Sequence, residues 1–132
     1  PGFEPLLPDR RSPEFSAAID GTLDTVLSTG LTALLVHSDP EAMAMIDLAL
    51  NRGISVPEDL SIIAYDDEVA QLFNPAITAV SPPRRAVGEA AADLLAKRLA
   101  DPSRPVSRIV LNPTLHVRES TAAPRTGARP AQ

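Results

Sequence analysis

The chain has 132 residues, 44% of them hydrophobic, with 12 Lys and Arg against 17 Asp and Glu and a formal net charge of −5. That length suits one compact domain, and the composition is that of a globular rather than a disordered chain. The acidic balance opposes contact with a phosphate backbone, the absence of cysteine excludes disulfides and thiolate metal sites, and no apolar run reaches membrane-spanning length.

Residues 1–12 carry three prolines and scattered charge and predict an extended or loop segment. The opening Pro1-Gly2-Phe3-Glu4-Pro5 lacks both an initiator Met and a basic-then-apolar secretion pattern, so the chain reads as a piece of a longer protein. Ser12-Pro13-Glu14 predicts a helix start, with Ser12 as N-cap and Pro13 in the first turn. Phe15, Ala18, Ile19, Leu23, Val26 and Leu27 follow at helical spacing, and Gly30 stands where a C-terminal stop belongs. Thr32–His37 is a short apolar run of the kind buried on both faces of a parallel sheet. Asp39-Pro40 opens a second helix, which should run to Gly53, with Asp39 as its cap.

Leu60–Tyr65 predicts a second buried strand, ending on Asp66-Asp67-Glu68. Asn74-Pro75 breaks the chain before a third strand at Ile77–Val80. Ser81-Pro82-Pro83 introduces a third helix with Val87, Ala91, Leu94, Leu95 and Leu99 on one face. Ser107–Asn112 and Thr114–Val117 read as two more strands, and residues 119–132 as a disordered tail. Helices alternate with strands at α/β intervals, which predicts a three-layer lobe on a parallel sheet. With four residues in all from Phe, Tyr and Trp, its core must be aliphatic.

Ligands in such sheets bind beyond the carboxyl ends of the strands. Two polar clusters fall there: His37-Ser38-Asp39 and Asp66-Asp67-Glu68. The acidic cluster suits a ligand hydroxyl, a solvated loop, or a metal or acid/base pair. Neighbouring residues point to opposite sides, so at most two of its carboxylates face one ligand. No His or further acid stands at ligand spacing, so no metal is expected. His37, Ser38 and Asp39 are the residue types of a hydrolase triad, but consecutive residues cannot stack nucleophile, base and orienting group. No nucleophile elbow, phosphate loop or dinucleotide fingerprint is present, and neither an enzyme nor a cofactor is expected. Ala42, Met43, Ala44, Met45, Ile46, Leu48, Ala49 and Leu50 wrap nearly all round the second helix. Such a helix lies either at a subunit interface or within one core.

The order of these motifs resembles the lac repressor/galactose repressor family. The resemblance is carried by Asp39-Pro40-Glu41-Ala42, by Gly53–Asp67 with Val56-Pro57-Glu58-Asp59-Leu60-Ser61 inside it, by Pro75–Val80, by Val87–Leu95 and by Pro113–Thr121. It runs from Thr32 to Thr121 and is weak over residues 1–31. Members of this family are homodimers or tetramers. They carry an operator-binding helix-turn-helix followed by a two-lobed, periplasmic-binding-protein-like module that senses a sugar, nucleoside or purine.

The resemblance implies that residues 1–118 are the C-terminal part of that effector-binding domain, with residues 81–111 crossing to an absent N-terminal lobe. It also implies a cytoplasmic homodimer that reaches operator DNA only through an absent N-terminal domain. Asp66, Ser38 and Arg84 fall at effector-contacting positions, and Met43, Asp47, Leu50 and Phe73 at dimer-interface positions. His37, Ala64, Ala79 and Ser81-Pro82 depart from the common residues of the family, which leaves the effector, sugar-like by resemblance, unspecified. A periplasmic sugar-binding protein of a transport system is the alternative on the same fold.

Overall fold

A computed structural model describes residues 12–124. The loop expected over residues 1–11 and the tail expected over residues 125–132 lie outside the described residues.

The first helix, α1 (Pro13–Thr29), begins as its sequence predicts. The Ser12 hydroxyl accepts the Phe15 N–H at 3.2 Å, and Pro13 occupies the first turn, where no helical N–H is needed. Gly30 ends it at φ 70°, a left-handed conformation a side chain would oppose, and Leu31 N–H closes the last turn on Val26 O at 3.2 Å. Strand β1 (Ala33–Val36) follows, then α2 (Asp39–Asn51), β2 (Ser61–Tyr65), a single 3-10 turn at Ala70–Leu72, β3 (Thr78–Ser81), α3 (Arg84–Ala100) and β4 (Thr114–His116).

The sheet order is β1-β2-β3-β4, with β1, β2 and β3 parallel and β4 antiparallel to β3. Register pairs Leu34 with Ile62 and Val36 with Ala64, so these side chains share one face, and Ala64 pairs with Ala79. That face carries the core. Leu23 and Val26 of α1 and Ala42, Met45, Ile46 and Ala49 of α2 are buried in one cluster with Ile62, Ala64, Ile77 and Ala79. Each large side chain there contributes roughly 1.5–3 kcal/mol of burial. Arg52, just past α2, forms ion pairs with Asp20 and Asp24 of α1, the latter at 2.5 Å, and ties the two helices at their exposed side.

Two of the expected three layers lie within the described residues. The opposite face of the sheet is open, and Leu35 and Leu115 on it are 65% and 54% exposed. Helix α3 forms where its spacing predicts, but none of its residues is buried, and its apolar stripe of Val87, Leu95 and Leu99 meets no core.

Two expectations are corrected. Ser107–Asn112 forms no strand, because no strand lies beside it among the described residues to complete its hydrogen bonds. The start of the expected tail is not free chain. Glu119 N–H and Ser120 N–H both reach Ala76 O, at 3.0 and 3.1 Å, and Ser120 is wholly buried.

Candidate functional site

Parallel pairing of β1 and β2 brings their carboxyl ends side by side, so His37-Ser38-Asp39 lies against Tyr65-Asp66-Asp67. The rings of His37 and Tyr65 stack with centroids 6.4 Å apart and planes 18° from parallel. Ser38 is buried at 7% exposure in the N-cap position of α2, and its carbonyl accepts the Ala42 N–H at 3.0 Å.

Asp39 departs from the cap role expected of it. It stands inside the first turn, 1% exposed, and its carboxylate reaches across to the loop after β2. Oδ1 accepts the Asp67 N–H at 3.1 Å, while Oδ2 accepts those of Glu68, Val69 and Ala70 at 2.6, 2.8 and 3.1 Å. A negative group at a helix start is also favoured by the helix dipole.

That loop opens on a bend in which Asp66 has φ 109° and Asp67 has φ 56°. Non-glycine residues in this region each cost on the order of 1 kcal/mol or more, so the surrounding contacts must hold the bend. The bend splits the acidic cluster. Asp66 turns outward, where Arg84 Nη2 lies 3.0 Å from its Oδ1 and 3.4 Å from Glu68 Oε1. Asp67 turns inward, with a side chain only 6% exposed. Its Oδ2 is 2.5 Å from His116 Nδ1, and Arg118 Nη1 is 2.7 Å from its Oδ1, close enough to pair by charge without good hydrogen-bond alignment. Arg118, and then His116, hold the Asp67 carboxyl below the ordinary Asp range, against the opposing effect of burial.

The structure therefore brings Asp66 and Arg84 together and sets Ser38 on the adjoining strand end. The site is an open edge. A cavity of about 310 Å³ lies between α3 and residues 104–107, and another of about 220 Å³ between α1, β1 and α2; neither touches Ser38, Asp66 or Arg84. Among the described residues no group of three His, Asp or Glu is placed to hold a metal ion.

Met43 and Leu50 lie seven residues apart on one flank of α2, beside the buried stripe of Ala42, Ile46 and Ala49, and Asp47 lies between them further outward. Leu50 is 44% exposed, Asp47 is exposed, and Met43 and Phe73 are half-buried against the core. Sequence reasoning missed the roles of Asp39, His116, Arg118 and Ser120. The one available signal was that all four fall inside segments that carried the family resemblance, Asp39 in Asp39–Ala42 and the other three in Pro113–Thr121.

Residues 6–121 match the periplasmic binding protein-like domain family. The chain is 34% identical over 90 residues to the HTH-type transcriptional repressor PurR of Photobacterium profundum, an overlap of 67% of this chain and 27% of the repressor. Among solved structures it is similar to the transcriptional regulator CelR in complex with cellobiose, with a TM-score of 0.72 and 32% identity over 81% of this chain and 32% of that one. It is also similar to a dimeric lac repressor with an 11-residue C-terminal deletion, with a TM-score of 0.69 and 26% identity over 83% of this chain and 41% of that one. The chain thus spans between 27% and 41% of the length of these three proteins. No helix among the described residues is long and apolar enough to cross a membrane. The chain belongs to the periplasmic binding protein-like domain family, as an effector-binding region of the lac repressor/galactose repressor type.

Proposed function

We propose that this chain is the effector-sensing and dimerising part of a cytoplasmic transcriptional regulator whose operator contacts are made by residues outside it. The observation that carries the reading is the bend at Asp66. A carboxylate is held outward beyond the carboxyl end of a central parallel strand, the place where α/β sheets take their ligands. A carboxylate accepts two hydroxyl donors at once, which suits a polyhydroxylated effector such as a sugar. The cellobiose bound by the similar regulator CelR supports that class. In this reading Arg84 sets the orientation of Asp66 and donates to the effector itself, and Ser38 lines the adjoining wall. An effector that prefers one lobe arrangement would shift the regulator between its operator-binding states. The dimer contact is the flank of α2 that carries Met43, Asp47 and Leu50, joined by Phe73; the dimeric form of the similar lac repressor supports self-association. Transport is the less favoured reading, because the relatives above are named as repressors or regulators.

The test is a titration of the full-length regulator with cellobiose and a panel of other sugars, reading fluorescence or calorimetric heat, in wild type and Asp66→Asn. Loss of one charge-assisted bond should weaken the responding sugar by about 10–100-fold. An unchanged dose–response curve would remove Asp66 from the site.

A further inference from the structure

We infer that Asp39, which no effector need touch, is the positioning residue that fixes the Asp66 bend in a single conformation. The inference rests on the reading of Asp66 as an effector contact. Asp66 and Asp67 both sit at positive φ, a region that disfavours residues with side chains, so the bend does not persist by local preference. What opposes its relaxation is an acceptor on another element. The Asp39 carboxylate, 1% exposed on the first turn of α2, takes four consecutive backbone N–H groups, those of Asp67, Glu68, Val69 and Ala70. Four N–H groups can converge on one carboxylate only while the chain curls around it, and that curl is the bend. On the other side Asp67 is anchored to Arg118 and His116, and Asp66 N–H donates to Val80 O at 2.9 Å. Asp66 therefore has its backbone fixed on both sides while its own carboxylate stays directed to Arg84 and solvent.

The two oxygens of Asp39 carry unequal loads: Oδ2 receives three of the donors and Oδ1 receives one. This asymmetry separates positioning from general structural support. Asp39→Ala removes every acceptor. Asp39→Asn keeps one oxygen, which will settle at the three-donor corner and leave the Asp67 N–H facing an amide N–H₂.

The experiment is amide hydrogen exchange on the full-length protein, resolved at residues 62–70. Asp39→Ala should speed exchange at Asp67, Glu68, Val69 and Ala70 by about 10–100-fold, while Ile62, whose N–H is bonded to Ser120 O, keeps its protection. Asp39→Asn should release Asp67 preferentially. Unchanged exchange at 67–70, or acceleration spread evenly over β2 and α2, would overturn the inference, since the second outcome is what a merely structural residue produces. Cellobiose titrations run in parallel on Asp39→Asn and Asp66→Asn keep the two readings apart. If Asp66→Asn leaves binding intact, or cellobiose does not bind, the Asp66 assignment loses its support while the exchange data still decide the role of Asp39.

Discussion

Ser120 and Thr78 meet at the amino-terminal end of the sheet, where the Ser120 hydroxyl accepts the Thr78 N–H at 2.8 Å and donates to Ile62 O at 2.5 Å. One side chain from the end of the described chain thus bridges β2 and β3. The bridge is reinforced by Ile62 N–H, which donates to Ser120 O at 2.9 Å, and by a 2.8 Å hydrogen bond between the hydroxyls of Thr78 and Thr121.

Replacement of Ser120 by Ala should leave the Thr78 N–H buried without its acceptor. The cost of such an orphaned donor is roughly 1–3 kcal/mol. Urea unfolding of the full-length protein should show a lower midpoint with an unchanged slope, because the exposed area does not change. Deletion from Glu119 onward should cost more, since it also removes the backbone bonds to Ala76 and Ile62. A midpoint unmoved by Ser120→Ala would show that water replaces the hydroxyl without penalty.

Asp67 should govern the acid limb of stability. Arg118 and His116 hold its folded-state carboxyl below the ordinary value, so the unfolded chain binds a proton more readily than the folded one. The contribution is fully present above the unfolded Asp value of about 4 and is lost as pH falls from there through the lowered folded value. Asp67→Asn should make the fall of stability with acid shallower and should lower stability at neutral pH by roughly 1–3 kcal/mol. Asn tolerates the left-handed φ of 56° at this position, so the loss would report the charge contacts rather than backbone strain. Identical pH profiles for wild type and variant would show that Asp67 is not the titrating group.

Most of the architecture could be read from residues that act locally. Ser12, Pro13 and Gly30 mark the bounds of α1 by cap chemistry, and the short apolar runs 32–37 and 60–65 announce strands, although β1 keeps one face open instead of being buried on both. What could not be read depends on partners distant in sequence. Ser107–Asn112 has strand composition, but a strand also needs a neighbour, and among the described residues there is none. Ser120 lies in a polar stretch rich in Ala, Thr and Pro whose burial follows only from its bonds to residues about 40 and 60 positions earlier. The acidic cluster was half legible: alternation divided its carboxylates between two sides, but the partners of each side, Arg84 and the His116/Arg118 pair, stand about 20 and about 50 residues further along the chain. Asp39 was misjudged because Asp-Pro is a common helix start, and its use as an acceptor for a distant loop leaves no local trace.

One flank of α2 gives the last prediction. Ala42, Met45, Ile46 and Ala49 take the inward side of the helix, and Met43, Asp47 and Leu50 form the flank beside it, with Leu50 44% exposed. In a two-fold symmetric interface a single substitution is counted twice, once from each subunit. Burying one Leu is worth roughly 1.5–3 kcal/mol, so Leu50→Glu should weaken self-association by about 10²-fold or more, with further cost from two like charges brought together. Sedimentation of the full-length protein over a dilution series reads this directly, and an unchanged circular dichroism spectrum would show that α2 still forms, since Glu is a good helix former. Ala17→Glu, exposed on α1, serves as the charge control and should leave assembly unaltered. If Leu50→Glu assembles as tightly as wild type, the dimer contact lies elsewhere and the exposed stripe on α2 is ordinary surface.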